Sequence, residues 1–171
     1  MDVQYLSTGG ARAAAVLAAG AVFAHVLAGR TAVVPRVAPC RPGEFCRRGL
    51  PSLRAVLGDL GGLGLLVVDG YADLDPAGRP GLGAHAHAEF GVPVIAVAKS
   101  RFGTATHALP VLRGSSARPL FVTVAGMPAA DAADLVRHMP GRYRLPDALH
   151  RADTLARVGQ PAATMTGRQP G

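Results

Sequence analysis

"LGLLVVDG", residues 63–70, and "VPVIAVAKS", residues 92–100, decide how this chain is read. Each is a short, unbroken apolar run, the pattern of a strand covered on both faces. Each stops at a charge: Asp69 before Gly70, Lys99 before Ser100. Between them "GLGAHAHAEFG" (81–91) has the length of a short helix, with Gly91 as its stop. Neighbouring parallel strands need such a crossover. In sheets of this kind chemistry collects at the carboxyl ends of the strands, where Asp69 and Lys99 stand.

Downstream, "RPLFVTVAG" (118–126) reads as a further strand. "PAADAADLVRHM" (128–139) reads as a helix opened by Pro128, and "YRLPDALHRADTLARV" (143–158) gives a last helix after Pro146. Upstream, "VQYL" (3–6), "AAAVLA" (13–18) and "VFAHVLAG" (22–29) read as an antiparallel meander of buried strands. "RVAPCRPGEF" (36–45) is a proline- and glycine-rich loop. Helical spacing at Leu53, Val56, Leu57 and Leu60 follows, with Pro51 expected in the first turn. The expectation is one mixed α/β domain over residues 1–158, then a small, polar, disordered tail at 159–171.

Composition bounds the function. With 171 residues, 49% of them hydrophobic, the chain can bury a core, although aromatics make up only 5% and Trp is absent. The apolar stretch 13–29 is short for a bilayer span and contains His25, so no membrane partner is expected. The opening "MDVQYLS" lacks the pattern of a secretory signal. Cys40 and Cys46 fit no zinc spacing and read as free thiols, consistent with a cytoplasmic monomer. A net charge of +7 makes nucleic acid a natural partner, with plain solubility charge as the alternative.

Lys99 is the only lysine beside 17 arginines. A compositional bias toward Arg explains that, and so does a site needing a compact ammonium rather than a planar fork. Carboxylates on adjacent strands, with no His/Cys cluster, suit a hard divalent cation. The alternative is an Asp that caps a loop and a Lys that snorkels.

The order of motifs resembles the endonuclease V family. "VVDGYADLDPAGRPGLGAHAHAEFGVPVIAVAKS" is similar to the family's strand ending in Asp-Gly, helix with a His, and strand ending in Ala-Lys-Ser. "GRYRLPDALHRAD" resembles its "GYRLPEPTRxAD" stretch, "MDVQY" its first metal-binding strand, and "APCRPGEFCRRGLP" its loop and helix start. The resemblance implies a ribonuclease-H-like mixed sheet flanked by helices. It also implies a Mg²⁺- or Mn²⁺-dependent endonuclease, acting on DNA or RNA near deaminated adenine in repair or turnover.

Carried over residue by residue, Asp2 and Asp69 would hold the metal. Lys99 would sit by the scissile phosphate, and Asp153 near the site. Pro42, Gly43 and Phe45 would form the loop against a flipped base, with His85 and Arg48 as further substrate contacts. The family's third metal-binding carboxylate aligns with Gly49, and its aromatic wedge with Cys40. Those two positions keep open a second reading, a relative that binds nucleic acid without cutting it. A chain opening one residue before Asp2 also implies a first strand that frays.

Overall fold

The structure, a computed structural model, describes residues 1–39, 45–58 and 60–159, with the backbone alone at 45–47. In chain order the elements are β1 (Asp2–Tyr5), β2 (Ala11–Ala19), β3 (His25–Val34), α1 (Phe45–Leu57), β4 (Leu66–Asp69), α2 (Leu82–Phe90), β5 (Val94–Ala98), β6 (Leu109–Val111), β7 (Leu120–Ala125), α3 (Ala129–His138) and α4 (Asp147–Val158). Strands β1-β2-β3 form an antiparallel meander. The second sheet runs β4-β5-β7-β6, parallel between β4 and β5 and antiparallel elsewhere. Across the seam, Met1 N donates to Val67 O at 2.7 Å, so β1 abuts β4. The result is the mixed α/β sheet flanked by helices that the strand pattern anticipates.

The period-two alternation of a strand divides the core between two layers. Leu66, Val68, Val94 and Ala96 join Ala13, Ala15, Leu53, Val56, Leu82 and Ala86 on the side of α1 and α2. The intervening Val67, Ile95 and Val97 pack with Val122, Ala132 and Val136 on the α3 side. Val16, Ala148 and Ala152 extend that second layer under α4. Both faces are covered, which is why β5 is apolar throughout and β4 is apolar up to Asp69.

The termini of α2 and α3 follow from local chemistry. Gly91 ends α2 in the left-handed conformation, φ 67°, which a residue without Cβ adopts at little cost. Pro128 precedes α3 with its ring already at a helical φ.

Four expectations need correction. Helix α1 starts at Phe45, so Pro51 lies inside it, on an exposed position, rather than in its first turn. β3 is an exposed edge strand, with Leu27 71% and Val33 61% exposed; an apolar sequence does not by itself put a strand inside. β6 has no counterpart in the pattern, because three residues including Pro110 are too few to show a period. β1 is paired with β2 along its whole length and Met1 is buried, so the strand is anchored rather than frayed. Cys40, Pro42, Gly43 and the 160–171 part of the tail lie outside the described residues, as do the side chains of Phe45 and Cys46. Among the described residues, no helix is long and apolar enough to cross a membrane.

Candidate functional site

Alternation also aims the charges. Val67 and Val97 face the α3/α4 layer, so two residues on, Asp69 and Lys99 point the same way from adjacent strand ends. Asp2 pairs with Ala14, which lies on the opposite face of β2 from Ala13 and Ala15, and therefore faces the same layer. Helix α4 brings Asp153 to meet them. Met1, Asp2, Asp69, Val97, Lys99, Leu145 and Leu149 line one narrow cleft.

Within it the Lys99 ammonium stands 3.4 Å from Asp153 Oδ1 and 3.9 Å from Asp69 Oδ2. Asp153 is also gripped by Arg157, one turn along α4, at 3.0 Å. Asp2 Oδ1 accepts a hydrogen bond from Val3 N at 2.7 Å, and the Asp2 carboxyl is hydrogen-bonded to Asp153.

Three aspartates here sit in three electrostatic situations. Burial, then the nearby Asp69 charge, pushes the Asp2 carboxyl above its ordinary range. Asp69 is also raised, by burial, with Lys99 pulling partly against it. Burial pushes Asp153 up too, but the Arg157 hydrogen bond, the Lys99 charge and the hydrogen bond from Asp2 outweigh it and hold it below. Within the Asp2–Asp153 pair a proton is therefore held more readily by Asp2 than by Asp153. The donor set is all oxygen, partly buried and rich in negative charge, which is what a hard divalent cation is held by. Among the described residues, no group of three or more His, Cys, Asp or Glu is arranged to hold a metal. A cation here would therefore rest on the two strand carboxylates plus water or substrate oxygens.

The remaining candidates are not brought into this cluster. Gly49 is buried in α1, in the layer opposite α4, and a Cβ built on it would lie 2.8 Å from Leu82 Cδ1. Arg48 is half-buried, with its guanidinium 3.8 Å from the Tyr5 ring centroid in a cation–π contact. Arg54 is committed to Glu89, at 2.5 and 2.6 Å, tying α1 to α2. His85 is half-buried on α2, and neither raised carboxyl owes its shift to a group on that helix. Asp75 staples its own loop, accepting from Ala77 N and Arg79 N at 3.1 Å and pairing with the Arg79 side chain.

Two arginines absent from the sequence reading build the wall beside Lys99. Arg113, 6% exposed, spreads its guanidinium over six main-chain carbonyls of residues 137–144. Arg144 then donates to Lys99 O and, at 2.8 Å, to Pro119 O. The segment 139–145, without regular structure of its own, is so fixed against β5 and β7. Nothing in the sequence marks an arginine whose partners are all main-chain carbonyls.

No protein-family model matches the chain. Two curated proteins do. An endonuclease V from Streptomyces avermitilis is 31% identical over 96% of this chain and 80% of its own length. One from Streptomyces coelicolor is 36% identical over 86% and 71%. The crystal structure of the S. avermitilis endonuclease V superposes with a TM-score of 0.75 at 32% identity, covering 91% of this chain and 77% of that one. A Ciona intestinalis endonuclease V, crystallised with an inosine-containing DNA, matches in fold with a TM-score of 0.70 at 18% identity, over 91% and 81%.

Proposed function

This chain, 31% and 36% identical to those two relatives over most of their length, belongs to the endonuclease V family, and on that premise we propose that it hydrolyses a phosphodiester of DNA or RNA near a deaminated adenine. The observation that carries the reading is the convergence of Asp2, Asp69, Lys99 and Asp153, from two strand ends, one strand start and a helix, on one cleft. In this reading Asp2 and Asp69 hold Mg²⁺ or Mn²⁺. Bound there, the ion supplies an activated water and counter-charge for the phosphate. Lys99 adds a fixed ammonium where negative charge grows on the phosphoryl oxygens. Asp153, itself oriented by Arg157, and Asp69 hold that ammonium in place. Leu145 and Leu149 line one side of the cleft, while the Lys99 and Asp69 side chains stay half-exposed to solvent. Pro42, Gly43 and Phe45 read the base in this proposal, with Arg48 and His85 as further substrate contacts. The chain acts as a cytoplasmic monomer.

The test is incubation of the purified chain with single-stranded DNA and RNA containing one inosine, with Mg²⁺ or Mn²⁺, resolving products on a denaturing gel. Wild-type chain gives a single nick, and Asp69→Asn gives none. Binding without product would instead support a module that recognises nucleic acid but does not cut it. The observation favouring that second reading is Gly49, where α1 offers no carboxylate. Gly49→Glu sharpens the choice. Its Cβ must displace Leu82, which is 3% exposed, so we expect a cost of about 1–2 kcal/mol in stability, offset in part by better helix propensity. A rise in cleavage despite that cost would place the missing ligand on α1.

A further inference from the structure

Tyr143 is 61% exposed, the one aromatic among the large exposed hydrophobics of the described residues, yet it sits on a segment that is anything but loose. Arg113 takes the carbonyl of Tyr143 itself at 3.2 Å and that of Arg144 at 3.3 Å. Arg144 clamps the next turn of chain to the carbonyl of Lys99. Leu145, two residues on from Tyr143, is a wall of the cleft. The main chain that carries the ring is thus fixed close to Lys99, while the ring itself remains largely open to solvent.

Its neighbourhood is basic. The Arg142 guanidinium lies 4.7 Å from the Tyr143 ring centroid and hydrogen-bonds its hydroxyl. Arg101, two residues after Lys99 with its guanidinium 5.4 Å from the Phe121 ring centroid, and Arg118, next to the Pro119 carbonyl that Arg144 holds, are both exposed. Asp147 is the acid of this segment, and it lies behind the loop, against Gly141. An exposed aromatic with an arginine stacked on it, among further exposed arginines, is the chemistry by which single-stranded nucleic acid is held: bases stack and phosphates pair.

We propose that Tyr143, with Arg142, is a stacking step for an unpaired base of the substrate, and that Arg101 and Arg118 take the adjoining phosphates. This rests on the reading of the cleft as a nucleic-acid site, and it adds a strand-holding surface beside Lys99. Both residues touch substrate rather than act through Lys99.

The experiment uses the full chain in EDTA and single-stranded 20-mers with one deoxyinosine, carrying 2-aminopurine at each flanking position in turn. Fluorescence anisotropy reads binding and 2-aminopurine emission reads stacking. In at least one register the wild-type chain quenches the probe. Tyr143→Phe keeps that quench and binds within about twofold, whereas Tyr143→Leu abolishes it and binds about tenfold more weakly. Arg142→Ala lowers affinity several-fold and reduces the salt slope by about one. Thermal midpoints of the four proteins agree, because the side chains are exposed. Equal quench and affinity in wild type and Tyr143→Leu would overturn the stacking step while leaving the nuclease reading standing. No binding of any 20-mer by the wild-type chain would overturn both.

Discussion

Two hollows share Met1 as a common wall, and they are opposites. The larger, about 510 Å³, lies between the β2–β3 hairpin and the segment leading into β4; it is lined by Ala15, Val16, Phe23, Leu57, Leu65 and similar residues, with no charged side chain among the described residues. The smaller is a slit with two carboxylates and an ammonium at its mouth. Size and apolarity point to the first, whereas converging charge points to the second. The difference teaches that a phosphodiester site is marked by what its groups cost to bring together. Three carboxyls and an ammonium, two of the carboxyls raised above their usual range, do not assemble in a fold by packing alone.

The largest expected effect comes from the charged hollow. Lys99→Ala should slow cleavage of an inosine-containing strand by about 10²- to 10³-fold, the usual loss when one charge-stabilising group is removed. Lys99→Arg should recover little of it, because a planar fork cannot occupy the position of a point charge between Asp69 and Asp153. Single-turnover rates at saturating protein separate this from a binding defect. Full activity of Lys99→Arg would mean that only net charge matters there.

Next is the wall that holds the slit open. Arg113→Met keeps the side chain's length and apolar stem but takes a donor from six carbonyls of residues 137–144, of which Met139 O is buried and Pro140 O keeps Asp147 N. Unsatisfied buried carbonyls are expensive, and the expected loss is roughly 3 kcal/mol or more, a fall of about 10 °C in the unfolding midpoint. The lining of the large hollow carries no comparable network among the described residues. A midpoint within 2 °C of wild type would show the 139–145 segment to be held by other means.

These two predictions also mark what the sequence could and could not reveal. β4 and β5 were legible because both faces are buried, which leaves an unmistakable apolar run, and their terminal Asp69 and Lys99 stand out against it. Asp2 and Asp153 were legible through the family resemblance alone; no local pattern separates Asp153 from any other acid on an amphipathic helix. Arg113 was illegible, and Arg144 showed only as one letter of the "GRYRLPDALHRAD" stretch with no role attached, for a physical reason: both bind main-chain carbonyls, which every residue has. β3 misled because its apolar residues face solvent, and α1 because its first turn lies in the glycine- and proline-rich stretch. His25–Val34 and Phe45–Leu57 are thus the elements where tertiary context overrode local pattern.

A smaller effect tests the electrostatics of the slit directly. The folded-state pKa values of Asp2 and Asp69 are raised, so their contribution to stability is fully present below the ordinary carboxylate range and is lost as pH rises through the raised values. Asp153 is lowered, so its contribution is present at neutral pH and lost only as pH falls through its depressed value. In EDTA, stability should therefore decline from about pH 4 upward as the Asp2–Asp69 pair ionises. Asp2→Asn should flatten that decline, and Mg²⁺ should raise the midpoint more at pH 7 than at pH 4. Midpoints measured from pH 4 to 8 check both, and a Mg²⁺ shift independent of pH would detach the ion from these carboxyls.

The smallest effect belongs to the large hollow. Leu27 stands at its mouth, 71% exposed, on the outer strand of the meander. Leu27→Lys places a charge where the apolar lining meets water, and its stem can still lie along that lining. Exposed substitutions of this kind change stability by no more than about 0.5 kcal/mol. Cleavage rate and midpoint should both match wild type, since β3 is separated from the slit by β2 and β1. A tenfold loss of cleavage with an unchanged midpoint would break the comparison, because it would make the apolar hollow part of the working site and not a packing gap beside it.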